Sequence, residues 1–118
     1  MRILICDDEG IVQQAIRFMI QKSFGDEFEI ESAKNGRMAI ELAESFRPDI
    51  ILMDIRMPEM DGAEATRRIR EFDPAIPIIA VTANAFDEDR RRAFEAGVDD
   101  FLTKPLSKAK LFETINQY

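Results

Sequence analysis

The side chains able to do chemistry in this 118-residue chain stand where apolar runs stop. Arg2-Ile3-Leu4-Ile5-Cys6 ends abruptly in Asp7-Asp8-Glu9, and Ile50-Ile51-Leu52-Met53 ends in Asp54. Ile76 to Val81 ends in Thr82, and Phe101-Leu102-Thr103 gives way to Lys104-Pro105. If these run ends share one rim, Asp7, Asp8 and Asp54 repel one another: at about 4 Å and an effective dielectric near 20, one pair costs roughly 4 kcal/mol. Either some carboxyls protonate or a divalent cation sits among them. Hard oxygen ligands without histidine or a thiolate pair favour Mg²⁺, or Mn²⁺ in its place, bridging to phosphate oxygens. Lys104 supplies a fixed positive charge for phosphoryl oxygens and Thr82 a short hydroxyl donor, the positioned electrostatics that phosphoryl transfer requires. Asp54 is the natural nucleophile, forming an acyl phosphate.

Composition narrows the field. The chain contains no histidine, which excludes His-based triads, His metal ligands and a phosphohistidine carried by the chain itself; any such group must come from a partner. Its one cysteine, Cys6, lies inside an apolar run and reads as a small buried residue. A formal charge of −7 argues against nucleic-acid binding through the overall field. The clusters Arg67, Arg68, Arg70 and Arg90, Arg91, Arg92 read as solvated helix faces. No signal peptide or membrane-length apolar stretch is visible, and the chain reads as one cytoplasmic domain over residues 1–118, with no output domain and no membrane contact.

The elements that must bring those run ends together alternate strand and helix. The apolar run 2–6 predicts a first buried strand, and Ile11, Val12, Ala15, Ile16, Met19 and Ile20 a helix ending near Gly25. Glu27-Phe28-Glu29-Ile30-Glu31 alternates strictly, as a strand covered on one face does at a sheet edge. Ala39, Leu42, Ala43 and Phe46 mark a second helix that stops before Pro48. The apolar run before Asp54 fits a strand covered on both faces. Asp61-Gly62 opens a third helix carrying Ala65, Ile69 and Phe72 inward. A fourth strand ends at Thr82, and a fourth helix, capped by Asp87 or Asp89, has a thin apolar stripe of Phe86, Ala93 and Phe94, so it should be the least firmly docked. A short fifth strand at Phe101 precedes a last helix that starts near Ser107 and buries Leu111, Phe112 and Ile115. Strands alternating with helices across short connections predict an α/β, doubly wound, five-stranded parallel sheet with helices on both faces. Parallel strands share a carboxyl edge, which gathers Asp7, Asp8, Asp54, Thr82 and Lys104.

Taken singly, each of these residues has a plainer reading: Asp7 and Asp8 as helix caps or turn residues, Thr82 as a strand former, Lys104 as a surface lysine, Phe101 as core. Their joint placement favours a site. Over nearly its whole length the chain resembles the response-regulator receiver domains of two-component phosphorelays. The matching segments are Ile5-Cys6-Asp7-Asp8-Glu9, Met53 to Gly62, Ala80-Val81-Thr82-Ala83-Asn84-Ala85 and Phe101-Leu102-Thr103-Lys104-Pro105. The resemblance implies a flavodoxin-like fold with strand order 2-1-3-4-5. It makes Asp54 the phosphoacceptor, Asp7 and Asp8 the acidic pair holding Mg²⁺, and the main-chain carbonyl of Arg56 a third ligand. It also implies a cis bond between Lys104 and Pro105 and a switch pair of Thr82 and Phe101. Arg56 and Asn84 match positions that tune phosphoryl lifetime.

The implied function is a phosphorylation switch. A histidine kinase or histidine phosphotransfer protein donates, and a downstream partner is met on the face of the fourth helix, fifth strand and last helix. A phosphorylation-dependent homodimer is one possible outcome. The domain catalyses only its own phosphorylation and dephosphorylation. Thr82-Ala83-Asn84-Ala85 with Asp99-Asp100-Phe101 looks more like receivers of hybrid histidine kinases than those of transcription factors. A haloacid-dehalogenase-like phosphatase wants Asp-x-Asp after a strand, where this chain has Asp54-Ile55-Arg56. A flavodoxin-like cofactor binder wants a phosphate-cradling loop where Asp7-Asp8-Glu9-Gly10 presents negative charge. A receiver fold used only for constitutive protein binding does not need the intact acidic set.

Overall fold

The computed structural model describes residues 1–83 and 87–118. Asn84 and Phe86, expected to tune lifetime and to pack in the fourth helix, lie outside the described residues. The strands are β1 (Arg2–Cys6), β2 (Glu29–Ala33), β3 (Ile50–Asp54), β4 (Ile78–Thr82) and β5 (Asp100–Thr103). The helices are α1 (Gly10–Phe24), α2 (Gly36–Ser45), α3 (Gly62–Phe72), α4 (Asp87–Ala96) and α5 (Lys108–Gln117). The strands form one parallel sheet in the order β2-β1-β3-β4-β5.

Strand side chains alternate between two cores. Leu4, Cys6, Ile51, Met53, Ile78 and Ala80 face α2, α3 and α4, whereas Ile3, Ile5, Ile50, Leu52, Ile79 and Val81 face α1 and α5. β1, β3 and β4 are therefore covered on both sides, which is why they read as continuous apolar runs. β2 is an edge strand, as its alternation indicates, but it begins two residues later than the pattern predicts. A short 3-10 turn occupies Gly25–Glu27, and Phe28 is drawn into edge-to-face contact with Phe24 at 4.7 Å between ring centres. Phe24 in turn meets Phe112 of α5 at 5.0 Å.

Side-chain caps fix the helix starts: Asn35 accepts from the Met38 amide, Asp61 from Glu64 and Ser107 from Lys110. Other expectations fail for identifiable reasons. Phe72, expected inward, is 42% exposed because it is the last residue of α3 and lies in a surface groove beside Ala43 and Pro48. Ile11, in the first turn of α1, is 83% exposed. Asp87 and Asp89 both fall inside α4, and Asp89 is buried. Phe94 is largely exposed, leaving Ala93 and Ala96 as the buried apolar residues of α4, a thinner stripe than the sequence suggested.

The arginine clusters are not all solvated. Arg70 donates to the carbonyls of Gly97, Asp73 and Ile76 at 2.9, 3.3 and 2.7 Å and to Asp99 at 2.9 Å, tying α3 to the chain entering β4 and β5. By contrast, the hydroxyl of Thr66, buried in α3, has no hydrogen-bond partner among the described residues. An isolated buried hydroxyl carries its desolvation cost without return. Thr66→Val is therefore expected to raise stability by about 1 kcal/mol, with urea denaturation as the check. A loss of similar size would mean that this hydroxyl is satisfied in solution.

Candidate functional site

The carboxyl ends of β1, β3, β4 and β5 meet as the parallel topology requires. Asp7 is buried directly after β1, where its amide donates to Ala33 O at 3.0 Å and its Oδ1 accepts from the Glu9 amide at 2.9 Å. Gln13 on α1 donates from Nε2 to the carbonyls of both Asp7 and Ala33, pinning the ends of β1 and β2 together. Sequence reasoning passed over Gln13. The signal was present, since Gln13 shares the inward stripe of Ile16 and Ile20 at helical spacing.

Asp54 is 3% exposed at the end of β3 and accepts from the Arg56 amide at 3.1 Å. Lys104 lies between the two buried acids, its Nζ 2.8 Å from Asp7 Oδ2 and 3.4 Å from Asp54 Oδ2. It is brought there by β5, whose continuation donates the Lys104 amide to Thr82 O at 2.8 Å; the Lys104-Pro105 bond that follows is cis. Thr82 is fully buried at the end of β4. Phe101 is half-buried, with the Arg90 guanidinium 5.7 Å from its ring centre.

Asp7, Asp8 and Asp54 each present a carboxylate oxygen within 4.8 Å of the others. Burial and then the charge of Asp7 push the Asp54 carboxyl up to about 6, against the opposing pull of Lys104 and the Arg56 amide. Burial works against the Lys104 ammonium, but its contacts with Asp7 and Asp54 outweigh it and hold its pKa above the ordinary lysine value. One ammonium among three carboxylates leaves the cluster short of positive charge. An all-oxygen donor set in that condition suits a hard divalent cation.

The side chain of Arg56 does not lie free over Asp54. Its guanidinium pairs with Asp89 of α4 at 2.9 Å, a contact the sequence did not suggest. Cys6 is buried, as expected, and burial pushes its thiol well above the usual range.

A response regulator receiver domain profile matches residues 3–116. The chain belongs to this family. Among curated receivers, it is 36% identical over 116 residues to the chemotaxis protein CheY of Halobacterium salinarum, covering 98% of this chain and 93% of that one. It is 40% identical over 124 residues to hybrid signal transduction histidine kinase I of Dictyostelium discoideum, covering 98% of this chain but 7% of that protein. Among solved structures, the receiver domain of the sensor histidine kinase PA1611 of Pseudomonas aeruginosa, with a magnesium ion coordinated in its active-site cleft, superposes with a TM-score of 0.89 at 38% identity. That match covers 99% of this chain and 95% of the other. The expected fold and strand order hold, and the protein is a receiver domain of two-component signalling. No described helix is long and apolar enough to cross a membrane.

Proposed function

We propose that Asp54 accepts a phosphoryl group from a partner's phosphohistidine, with Mg²⁺ held by Asp7, Asp8, Asp54 and the main-chain carbonyl of Arg56. The observation that carries this reading is the Lys104 ammonium between the buried Asp7 and Asp54, beside the exposed Asp8, in one acidic cluster. A carboxylate oxygen of Asp54 bonds to phosphorus as the phosphorus–nitrogen bond of the donor breaks, and the electron pair leaves with the imidazole. A divalent cation held by Asp7, Asp8, Asp54 and the Arg56 carbonyl would supply positive charge to offset the carboxylates and the phosphoryl oxygens. Lys104 pairs with a phosphoryl oxygen, and Thr82 donates its hydroxyl to another. The move of Thr82 makes room for Phe101 to turn inward, which carries the change to the face formed by α4, β5 and α5. Arg56 and Asn84 set how water reaches the acyl phosphate.

Among the described residues, an apolar groove borders this rim and offers the donor an approach. Ile11, Val12, Ala15, Met19 and Leu106 line a groove of about 410 Å³ that also includes Lys104 and Ala83. The exposed Ile11 and Phe18 lie on the same helix. A helical donor seated there brings its imidazole to the site. The likeness to CheY and to a hybrid histidine kinase supports phosphohistidine as the phosphoryl source.

Incubation with acetyl phosphate and Mg²⁺ is expected to add one phosphoryl group, read by intact mass and removed by hydroxylamine. Asp54→Asn should abolish the addition. Retention of the label in Asp54→Asn, or resistance of the adduct to hydroxylamine, would place the chemistry elsewhere.

A further inference from the structure

α4 contributes little apolar burial, yet it is fastened to the loop after β3 by two inter-element ion pairs. Asp89 Oδ2 meets Arg56 at 2.9 Å, and Arg92 meets Asp61, the cap of α3, at 2.6 Å. Asp89 also lies 4.0 Å from Arg92, so the contacts form a chain from Arg56 through Asp89 and Arg92 to Asp61. The Asp89 side chain is 6% exposed, and a carboxylate so buried is strongly tied to its partners. Arg56 connects this chain to the site, because its own amide donates to Asp54 Oδ1 at 3.1 Å. One residue therefore grips the acceptor carboxylate by its main chain and α4 by its side chain.

We propose that the Arg56–Asp89 pair is a lever that couples Asp54 to the position of α4, in addition to the Thr82–Phe101 route. The proposal rests on Asp54 being the phosphorylated residue. When an Asp54 oxygen bonds to phosphorus or to a phosphoryl mimic, the Arg56 amide loses part of its carboxylate acceptor and the 55–56 peptide readjusts. The guanidinium moves with the peptide, the 2.9 Å contact to Asp89 weakens, and α4 is released from the loop. Asp89 is a positioning residue here. It touches neither the acceptor nor the phosphoryl group and acts through Arg56.

The test is amide hydrogen exchange in α4, with and without beryllofluoride and Mg²⁺, for the wild type, Asp89→Asn and the exchanged pair Arg56→Asp/Asp89→Arg. In the wild type, beryllofluoride is expected to speed exchange in α4 about fivefold, as fits loss of a partly buried ion pair. In Asp89→Asn the resting α4 should already exchange about that fast, and the increment on adding the mimic should shrink to less than about twofold. The exchanged pair should recover slow resting exchange. A full wild-type increment in Asp89→Asn overturns the lever. Failure of the exchanged pair to slow resting exchange below that of Asp89→Asn overturns it as well. If Asp89→Asn fails to fold, Asp89→Glu, which keeps the charge with a longer reach, must show an intermediate increment. Binding of beryllofluoride itself, followed by fluorine resonance, separates the two readings. No binding in the wild type defeats Asp54 as acceptor, whereas binding with an unchanged α4 defeats only the lever.

Discussion

Gly62→Ala is expected to destabilise the protein by about 3 kcal/mol or more and to weaken beryllofluoride binding at least about tenfold. A Cβ at this position would stand against the main-chain oxygen of Asp54, inside its van der Waals envelope. It would also lie 2.8 Å from the Asp54 carbonyl carbon and 2.9 Å from the Ile55 Cα. These obstacles are backbone atoms and have no rotamer to escape into. The Gly62 amide meanwhile donates to Ile55 O at 2.9 Å, so the start of α3 is clamped against the residue after the acceptor. Relief requires the loop after β3 to move, and with it the alignment of Asp54 against Lys104. Gly10→Ala is the internal control, because nothing lies within 4 Å of its added Cβ. Urea denaturation and fluorine titration of both variants decide the matter. A Gly62→Ala protein that melts within about 1 kcal/mol of the wild type would show that the loop yields freely.

The acidic rim was legible because a parallel sheet turns sequence position into spatial position. Once the runs before Asp7, Asp54, Thr82 and Lys104 are recognised as strands, their exits must share an edge, and the ion contacts of Lys104 bear this out. What stayed hidden depends on side chains whose types have cheaper explanations. Asp89 reads as a helix cap and Arg56 as a residue that acts beside the acceptor, and only folding brings these residues, 33 positions apart, to hydrogen-bonding distance. Arg70 looks like one member of a solvated cluster, but its guanidinium fills with main-chain carbonyls of connecting segments, groups that no composition argument reveals. The start of β2 was misplaced because strict alternation cannot show that Phe28 has a better aromatic partner in Phe24.

Lys104→Met, close to isosteric, is expected to cost about 3 kcal/mol at about pH 7.5 without divalent cations, because it leaves Asp7 and Asp54 buried and facing each other. Proton linkage sets how this loss varies with pH. The Asp54 carboxyl is pushed up to about 6 in the folded wild type. In the unfolded chain it titrates near about 3.9. Between those values the folded state binds more protons, so this group's contribution to stability falls as pH rises through the window and its penalty is complete above it. Solvent screening at the mouth of the site reduces that wild-type penalty to about 1–2 kcal/mol. Removing the ammonium takes away a charge that lowers the Asp54 value, so the upper edge of the window rises in the variant. The deficit of Lys104→Met relative to wild type should therefore shrink as the pH is lowered from about 7.5 to about 5.5, where protonation substitutes for the missing cation. Lys104 itself titrates far above this range in both states and adds no slope of its own. Saturating Mg²⁺ should supply the missing positive charge, cutting the deficit at about pH 7.5 to below about 1 kcal/mol and making the Mg²⁺-induced rise in Tm larger in the variant than in the wild type. Urea denaturation at both pH values, in EDTA and in Mg²⁺, measures the deficits, and thermal melts in the same buffers measure the rise in Tm. An equal loss under all four conditions would reduce Lys104 to a packing residue and remove the electrostatic basis of the site.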